Sequence, residues 1–374
     1  MEALTYFKEI AATLPNAEID TWKRQGGRVI GTVCSNIPEE VVHAAGLLPL
    51  RVRAPKLEDT SMGDAHLHVF NCSYTRSVLE RLLRGDLGFL DGFVTTNTCD
   101  HMLRLAGELK DKADMPLVHY FSMYHTFNDA AKGWFASEVQ GLVAAIEKSL
   151  GVRITGEDLR RSINVYNRTR TLLARLDELR KSDPPAVTGS EHMRIVLAGM
   201  SMPRELFNEK LEALLPQLED RRSGEPGRPR LMVVGGACDV PEFIGFIETR
   251  GANIVADGLC FGMRNYRGMI DESGGDPLSA IADRYTNRSP CPAIINGFDS
   301  SFDDLKEILS EWRIDGIVCA RLKFCDHWGG RRKMLTDRLR GDGIPLLDLE
   351  REYSTAGSGQ IGTRVQAFLE MLSG

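Results

Sequence analysis

Eight cysteines, at positions 34, 72, 99, 238, 260, 291, 319 and 325, stand singly along the chain, and no CxxC pair occurs. That spacing excludes a zinc ribbon, a thioredoxin-like redox pair and a ferredoxin-type local cluster loop. There is no GxxxxGK[ST], which argues against nucleotide hydrolysis through a P-loop, and neither GxSxG nor HExxH is present. No apolar stretch approaches the ~18 residues of a membrane span. A formal net charge of −6, with no block of like charges and no basic stripe, excludes an obvious nucleic-acid binder. The amino terminus, MEALTYFKEIAATLPNAEIDTWKRQGG, lacks the pattern of a signal peptide and reads as an amphipathic helix, so the cytoplasm is the expected compartment.

What is present is ordinary globular material: 43% hydrophobic and 26% charged residues over 374 positions. That length exceeds the roughly 250–300 residues at which a single core stops growing, so two or three domains are expected. Short apolar runs recur, each ending in a turn and often followed by a helix. GRVIGTVCS (27–35) leads into PEEVVHAAG, LLPLRV (47–52) follows, and DGFVTTN (91–97) leads into CDHMLRLAGEL. The rhythm predicts an α/β fold with a parallel sheet covered by helices.

From about 128 to 222 the texture changes to amphipathic helices, one opening on Thr155 and Asp158 as a capping box and stopped by Asp183-Pro184-Pro185. After the linker-like SGEPGRPR the strands return in RLMVVGGAC (230–238), ANIVADG (252–258), DGIVCARLKF (315–324) and IPLLDLE (344–350). The expected organisation is an amino-terminal α/β domain (1–127), a helical insertion or connector (128–222) and a carboxyl-terminal α/β domain (223–374).

Ligands of open α/β sheets bind outside the carboxyl ends of the strands. Cys34, Cys99, Cys238 and Cys325 each fall just after a strand, and Cys72 lies where a helix begins. A helix amino terminus stabilises a thiolate, which favours reactivity and metal binding. Free cysteine is also a common core residue, the favoured reading for Cys319 within IVCA and for Cys34, Cys238, Cys260 and Cys291. Position alone leaves Cys72, Cys99 and Cys325 open between core and ligand. His101 and His327 follow Cys99 and Cys325 by two residues each, near enough to support such a site.

Four segments in order resemble one family: GTVCSNIPEEVVHAAGLLPLRV, NCSYTRSVLERLLRGDLGFLDGFVTTNTCDHMLRL, CARLKFCDHW and EYSTAGSGQIGTRVQAFLEML. The family is the benzoyl-CoA reductase / 2-hydroxyacyl-CoA dehydratase family. The resemblance implies two Rossmann-like parallel-sheet domains with a helical connecting segment. It also implies a [4Fe–4S] cluster on Cys72, Cys99 and Cys325, with the fourth iron carrying a non-protein ligand or left open to act as a Lewis acid. Ser35 and Glu40 would approach the same crevice as candidate catalytic residues. The implied chemistry is an ATP-activated radical reaction on an acyl-CoA thioester through a ketyl radical, either reducing an aromatic ring or dehydrating a 2-hydroxyacyl group.

The implied partners are a paralogous subunit or a second copy of the chain, and a separate iron–sulfur ATPase activator. After KFCD this chain runs HWGGRRKM where many relatives have proline and acidic or aromatic residues, which leaves the acyl group undefined. Two alternatives stand beside this reading. One is a double-cubane reductase of small molecules; the other is a cluster-carrying electron-transfer subunit whose paralogue binds the substrate. Arg264, in CFGMRNYRG after a strand, is a candidate for coenzyme A.

Overall fold

The computed structural model describes residues 2–55, 57, 59–353 and 359–373. Four strands, β1 (Val29–Thr32), β2 (Leu48–Arg51), β3 (Gly92–Thr96) and β4 (Leu117–Phe121), form one parallel sheet in the order β2-β1-β3-β4. Four more, β5 (Arg230–Gly235), β6 (Asn253–Gly258), β7 (Gly316–Leu322) and β8 (Leu346–Arg351), form a second in the order β6-β5-β7-β8. All pairings are parallel. The fold is thus α/β with two Rossmann-like sheets that repeat one strand order.

Strands covered by helices on both faces read as mainly apolar runs, and β1, β2, β3 and β5 are buried at every residue. Of the edge strands, β4 and β8 are only partly buried, whereas β2 and β6 are covered by helices.

The helices between the sheets touch both of them. Asp129–Leu150 packs on β4 and on helix Pro277–Asn287 of the second half. Gly156–Lys181 reaches from helix Glu39–Ala44 to β6, and Gly189–Gly199 packs on the first helix (Glu2–Ala12), on Pro241–Glu248 and on β6. One apolar core consequently runs through both sheets; a second lies between the first sheet and Asp129–Leu150, with Ile30, Val94, Phe121, Phe135 and Val139.

Local signals behave as their chemistry dictates. Thr155 and Asp158 form the capping box, the Asp158 amide donating to Thr155 Oγ1 at 3.2 Å and the Thr155 amide to Asp158 Oδ2 at 3.0 Å. The helix they open ends at Lys181, just before Asp183-Pro184. The amino-terminal helix is not continuous, however. It stops at Ala12, and a second helix (Ala17–Arg24) starts after Pro15, because proline cannot donate into the ladder and Asn16 Oδ1 caps the next amides. The carboxyl-terminal helix (Gly359–Ser373) docks Val365, Phe368 and Leu369 as its spacing predicts, while residues 354–358 of the fourth motif lie outside the described residues.

At the end of β5 the backbone approaches β7 so closely that a Cβ on Gly235 would lie 2.1 Å from the Ala320 carbonyl oxygen. Since backbone cannot swing aside as a side-chain tip can, Gly235→Ala is expected to destabilise the protein by about 1–3 kcal/mol. Urea unfolding would check this, an unchanged midpoint showing that the strand ends have slack.

Candidate functional site

In each sheet the chain leaves the first strand on one side and crosses back to place the third on the other. The carboxyl ends of β1 and β3, and of β5 and β7, therefore flank a topological switch point. The two switch points face one another. His327 Nε2, beyond β7, lies 3.1 Å from the Thr98 carbonyl beyond β3, and the Phe70 and Phe324 rings meet edge to face at 5.2 Å. Below them Tyr353 bridges the halves: its amide donates to Ser73 Oγ (2.8 Å), its hydroxyl to buried Asp239 (2.7 Å), and that hydroxyl accepts from the Ala54 amide (3.0 Å).

Cys72, Cys99 and Cys325 come together in this cleft from three separate segments. Each is the N-cap residue of a helix: Ser73–Leu83, Asp100–Lys112 and Asp326–Gly341. Cys72 is buried and the other two are half-buried. Among the described residues their sulfurs have long contacts, the Met102 amide at 3.4 Å from Cys99 Sγ and Thr75 Oγ1 at 3.7 Å from Cys72 Sγ, with the Trp328 amide facing Cys325. Phe324 is held at φ 64°, a left-handed conformation that a bulky residue adopts only when its surroundings fix it. That turn presents Cys325 toward Gly236, where a Cβ would stand 3.9 Å from the sulfur.

Burial pushes all three thiols above their ordinary range, Cys325 to about 12. After burial, charge on Cys72 and on Cys325 raises Cys99 further, and charge on Cys72 raises Cys325. The three sulfurs are thus near enough to act on one another electrostatically. The helix amino termini favour thiolates here, but burial outweighs them, so a cation is needed to draw the protons off. His101 Nδ1 accepts the Cys72 amide proton at 3.2 Å, a supporting contact and not a ligand position.

Among the described residues no three His, Cys, Asp or Glu side chains close on a point in the manner of a single-ion site. A cubane differs in kind, since each thiolate binds a separate corner iron. The donor set, three thiols with little competing bonding, is the chemistry such a cluster takes.

Position in the sequence did not single out a second group, which meets the first at Gly236, whose carbonyl lies 3.7 Å from the Cys260 sulfur. Cys34, half-buried after β1, Cys260 after β6 and Cys291 lie within electrostatic reach of one another and of Arg51, Arg264 and Arg288. Burial pushes Cys34 up; burial would also raise Cys291, but Arg264, which donates to its sulfur, and Arg288 bring it below the usual thiol range. The rule of strand carboxyl ends would have flagged Cys260, two residues past β6. Cys291, in an irregular segment, carries no such signal. Cys319, inside β7, and Cys238 are fully buried.

Ser35 lies in the turn after β1, where its carbonyl accepts from Arg288 Nη2 at 2.8 Å. Glu40 is fully buried away from solvent, in helix Glu39–Ala44. One carboxylate oxygen pairs with Arg170 and the other accepts from the Tyr285 hydroxyl at 2.9 Å. Burial would raise its pKa, but the charges of Arg170 and Arg284 prevail and hold it at about 2. With both oxygens engaged, Glu40 ties three segments of the fold together.

Two parallel sheets with facing switch points and thiols gathered between them define a class of doubly wound α/β protein whose candidate site lies between its two sheets. The model of one family, described as 2-hydroxyglutaryl-CoA dehydratase, D-component, matches residues 34–372, and the chain belongs to that family. It is 28% identical to one of the subunits of benzoyl-CoA reductase from Thauera aromatica over 331 residues, covering 86% of this chain and 85% of that one. It is 24% identical to the (R)-phenyllactyl-CoA dehydratase beta subunit of Clostridium sporogenes over 367 residues, covering 98% and 97%. It is also 24% identical to the beta subunit of (R)-2-hydroxyglutaryl-CoA dehydratase from Acidaminococcus fermentans over 374 residues, covering 98% of each.

Removing one partner of a buried ion pair strands the other charge, so Glu40→Gln is expected to lower stability by about 3–5 kcal/mol. Because the folded pKa lies below the unfolded one, the Glu40 contribution is complete above the ordinary value of 4.5 and drains away as the pH falls toward 2. Denaturant titrations at pH 7 and pH 3 would test both points. A gap between parent and variant that fails to narrow at pH 3 would contradict this assignment.

Proposed function

We propose that this chain is the [4Fe–4S]-carrying subunit of an ATP-activated enzyme acting on acyl-CoA thioesters, either dehydrating a 2-hydroxyacyl-CoA or reducing a benzoyl-type ring. The observation that carries the reading is the convergence of Cys72, Cys99 and Cys325 at three helix amino termini, within mutual electrostatic reach, in the cleft between the sheets. Family membership and the names of the relatives supply the substrate class. A cluster held there by Cys72, Cys99 and Cys325 would supply one-electron transfer at low potential and Lewis acidity toward a thioester carbonyl.

The residues of this chain do the rest. The three helix dipoles favour the thiolates as protons leave. His101 fixes the backbone at Cys72, and His327 holds the Cys325 loop against the Thr98 carbonyl of the opposite half. Phe324 and the Trp328 ring near Gly236 give Cys325 apolar neighbours, and Phe70, 63% exposed, meets Phe324 edge to face at the solvent side. Partners follow from the same reading: a related subunit or a second copy, since the relatives are named as subunits, and a separate iron–sulfur ATPase that delivers the electron.

Iron and acid-labile sulfide on anaerobically purified protein test this directly. About four irons per chain, lost in Cys72→Ala, Cys99→Ala and Cys325→Ala while circular dichroism stays unchanged, is the expected result. Roughly eight irons would favour the double-cubane alternative, with its additional thiols. No iron after anaerobic reconstitution of folded protein would refute the assignment.

A further inference from the structure

Beside the three-cysteine cleft lies a pocket of about 310 Å³, within the usual size of a small-ligand site. Its floor is apolar, with Met232 and Val234 of β5 and Phe298, Phe302 and Ile308 of helix Phe298–Glu311. Trp328, one helical turn beyond Cys325, lines the same pocket and joins it to the cleft.

Four arginines, Arg264, Arg267, Arg288 and Arg331, also line it. Among the described residues none of them makes an ion pair with a carboxylate; their bonds run to backbone carbonyls, to hydroxyl and amide side chains and to the Cys291 sulfur. Arg264 donates to the Cys291 sulfur and, at 3.5 Å, to the Pro290 carbonyl. Arg288 donates to the carbonyls of Ser35 (2.8 Å) and Arg264 (3.3 Å) and to Asn36. Arg331 donates to Ser301 Oγ (2.7 Å) and to the Ile294 carbonyl (2.9 Å). Burial depresses the pKa values of Arg288 and Arg331, and repulsion from Arg264 adds to this in both.

The acids nearby do not compensate. Asp257 is committed to Arg180, while Asp304 is half-buried and Glu307 exposed on the outer helix. Guanidiniums gathered in a half-buried pocket repel one another unless an anion joins them.

We propose that Arg264, Arg288 and Arg331 bind a fixed anionic group of the thioester substrate, a phosphate of coenzyme A or a carboxylate on the acyl chain. This rests on the acyl-CoA reading above. The apolar floor then takes the uncharged part of the same molecule, and the anion registers the thioester toward Cys325. Arg267, exposed at the rim, widens the positive field at the entrance.

Equilibrium binding to the anaerobically purified chain separates this from the cluster assignment, because affinity is read without turnover and iron content is measured on the same sample. The probes are butyryl-CoA, glutaryl-CoA and butyryl-pantetheine, against the parent, Arg264→Met, Arg331→Met and the surface variant Arg267→Ala. Loss of a charged contact is expected to weaken binding about tenfold or more in Arg264→Met and Arg331→Met. If both CoA esters weaken alike and the pantetheine ester binds the parent poorly, the anion is a phosphate. If glutaryl-CoA alone weakens, it is the acyl carboxylate. Should Arg264→Met fail to fold, a fall in parent affinity with rising salt, smaller in Arg267→Ala, supports the same conclusion. Equal binding of all three probes to parent and folded variants would overturn the anion site, as would no binding by an iron-replete parent.

Discussion

The constraint on which the rest depends is that two parallel sheets meet at their carboxyl ends. Strands in such sheets release their loops at one edge, and the order β2-β1-β3-β4, repeated as β6-β5-β7-β8, opens a crevice at the centre of each edge. Facing the crevices brings four loop sets into one small volume. The Tyr353 bridge to Ser73, Ala54 and Asp239, together with the shared core, makes that facing a fixed feature. Residues more than 200 positions apart, such as Thr98 and His327, come into hydrogen-bond range only for this reason.

Electrostatics divide the cleft in two. On one side three thiols are raised by burial, and Cys99 and Cys325 also by their neighbouring cysteines, a state that favours neutral sulfur. On the other side guanidiniums draw Cys291 the opposite way and, among the described residues, make no ion pair with a carboxylate. On the proposed reading, the thiols would hold the cluster and the guanidiniums the charged part of the thioester beside it. Glu40 and Arg170 are a third kind of charge, buried and closed on themselves; they stiffen the frame around Tyr285.

The architecture was largely legible because its signals are local. Buried strands are short continuous apolar runs, and each ends where its turn residues say, as GRVIGT and RLMVVGG do. The Thr155 capping box and the Asp183-Pro184 stop need only neighbouring atoms, and both are found. The break at Pro15 escaped the reading of one continuous amphipathic helix, because apolar periodicity persists across a proline that the backbone cannot ignore. The helices after residue 128 read as a connector by texture alone, and texture cannot say that they touch both sheets.

By itself the sequence determined the α/β class, the strand ends that carry cysteines and, through four ordered motifs, the family. Those depend on side-chain periodicity and on residue identity at short range, which a chain displays before it folds. Only the tertiary structure decided which cysteines share a volume, that Glu40 is locked in an ion pair, and that Arg264, Arg288 and Arg331 gather around one pocket beside Trp328. Distances between residues far apart in sequence follow from how the two sheets are set against each other. That setting is the sum of many weak apolar contacts spread over the whole core, and no single segment encodes it.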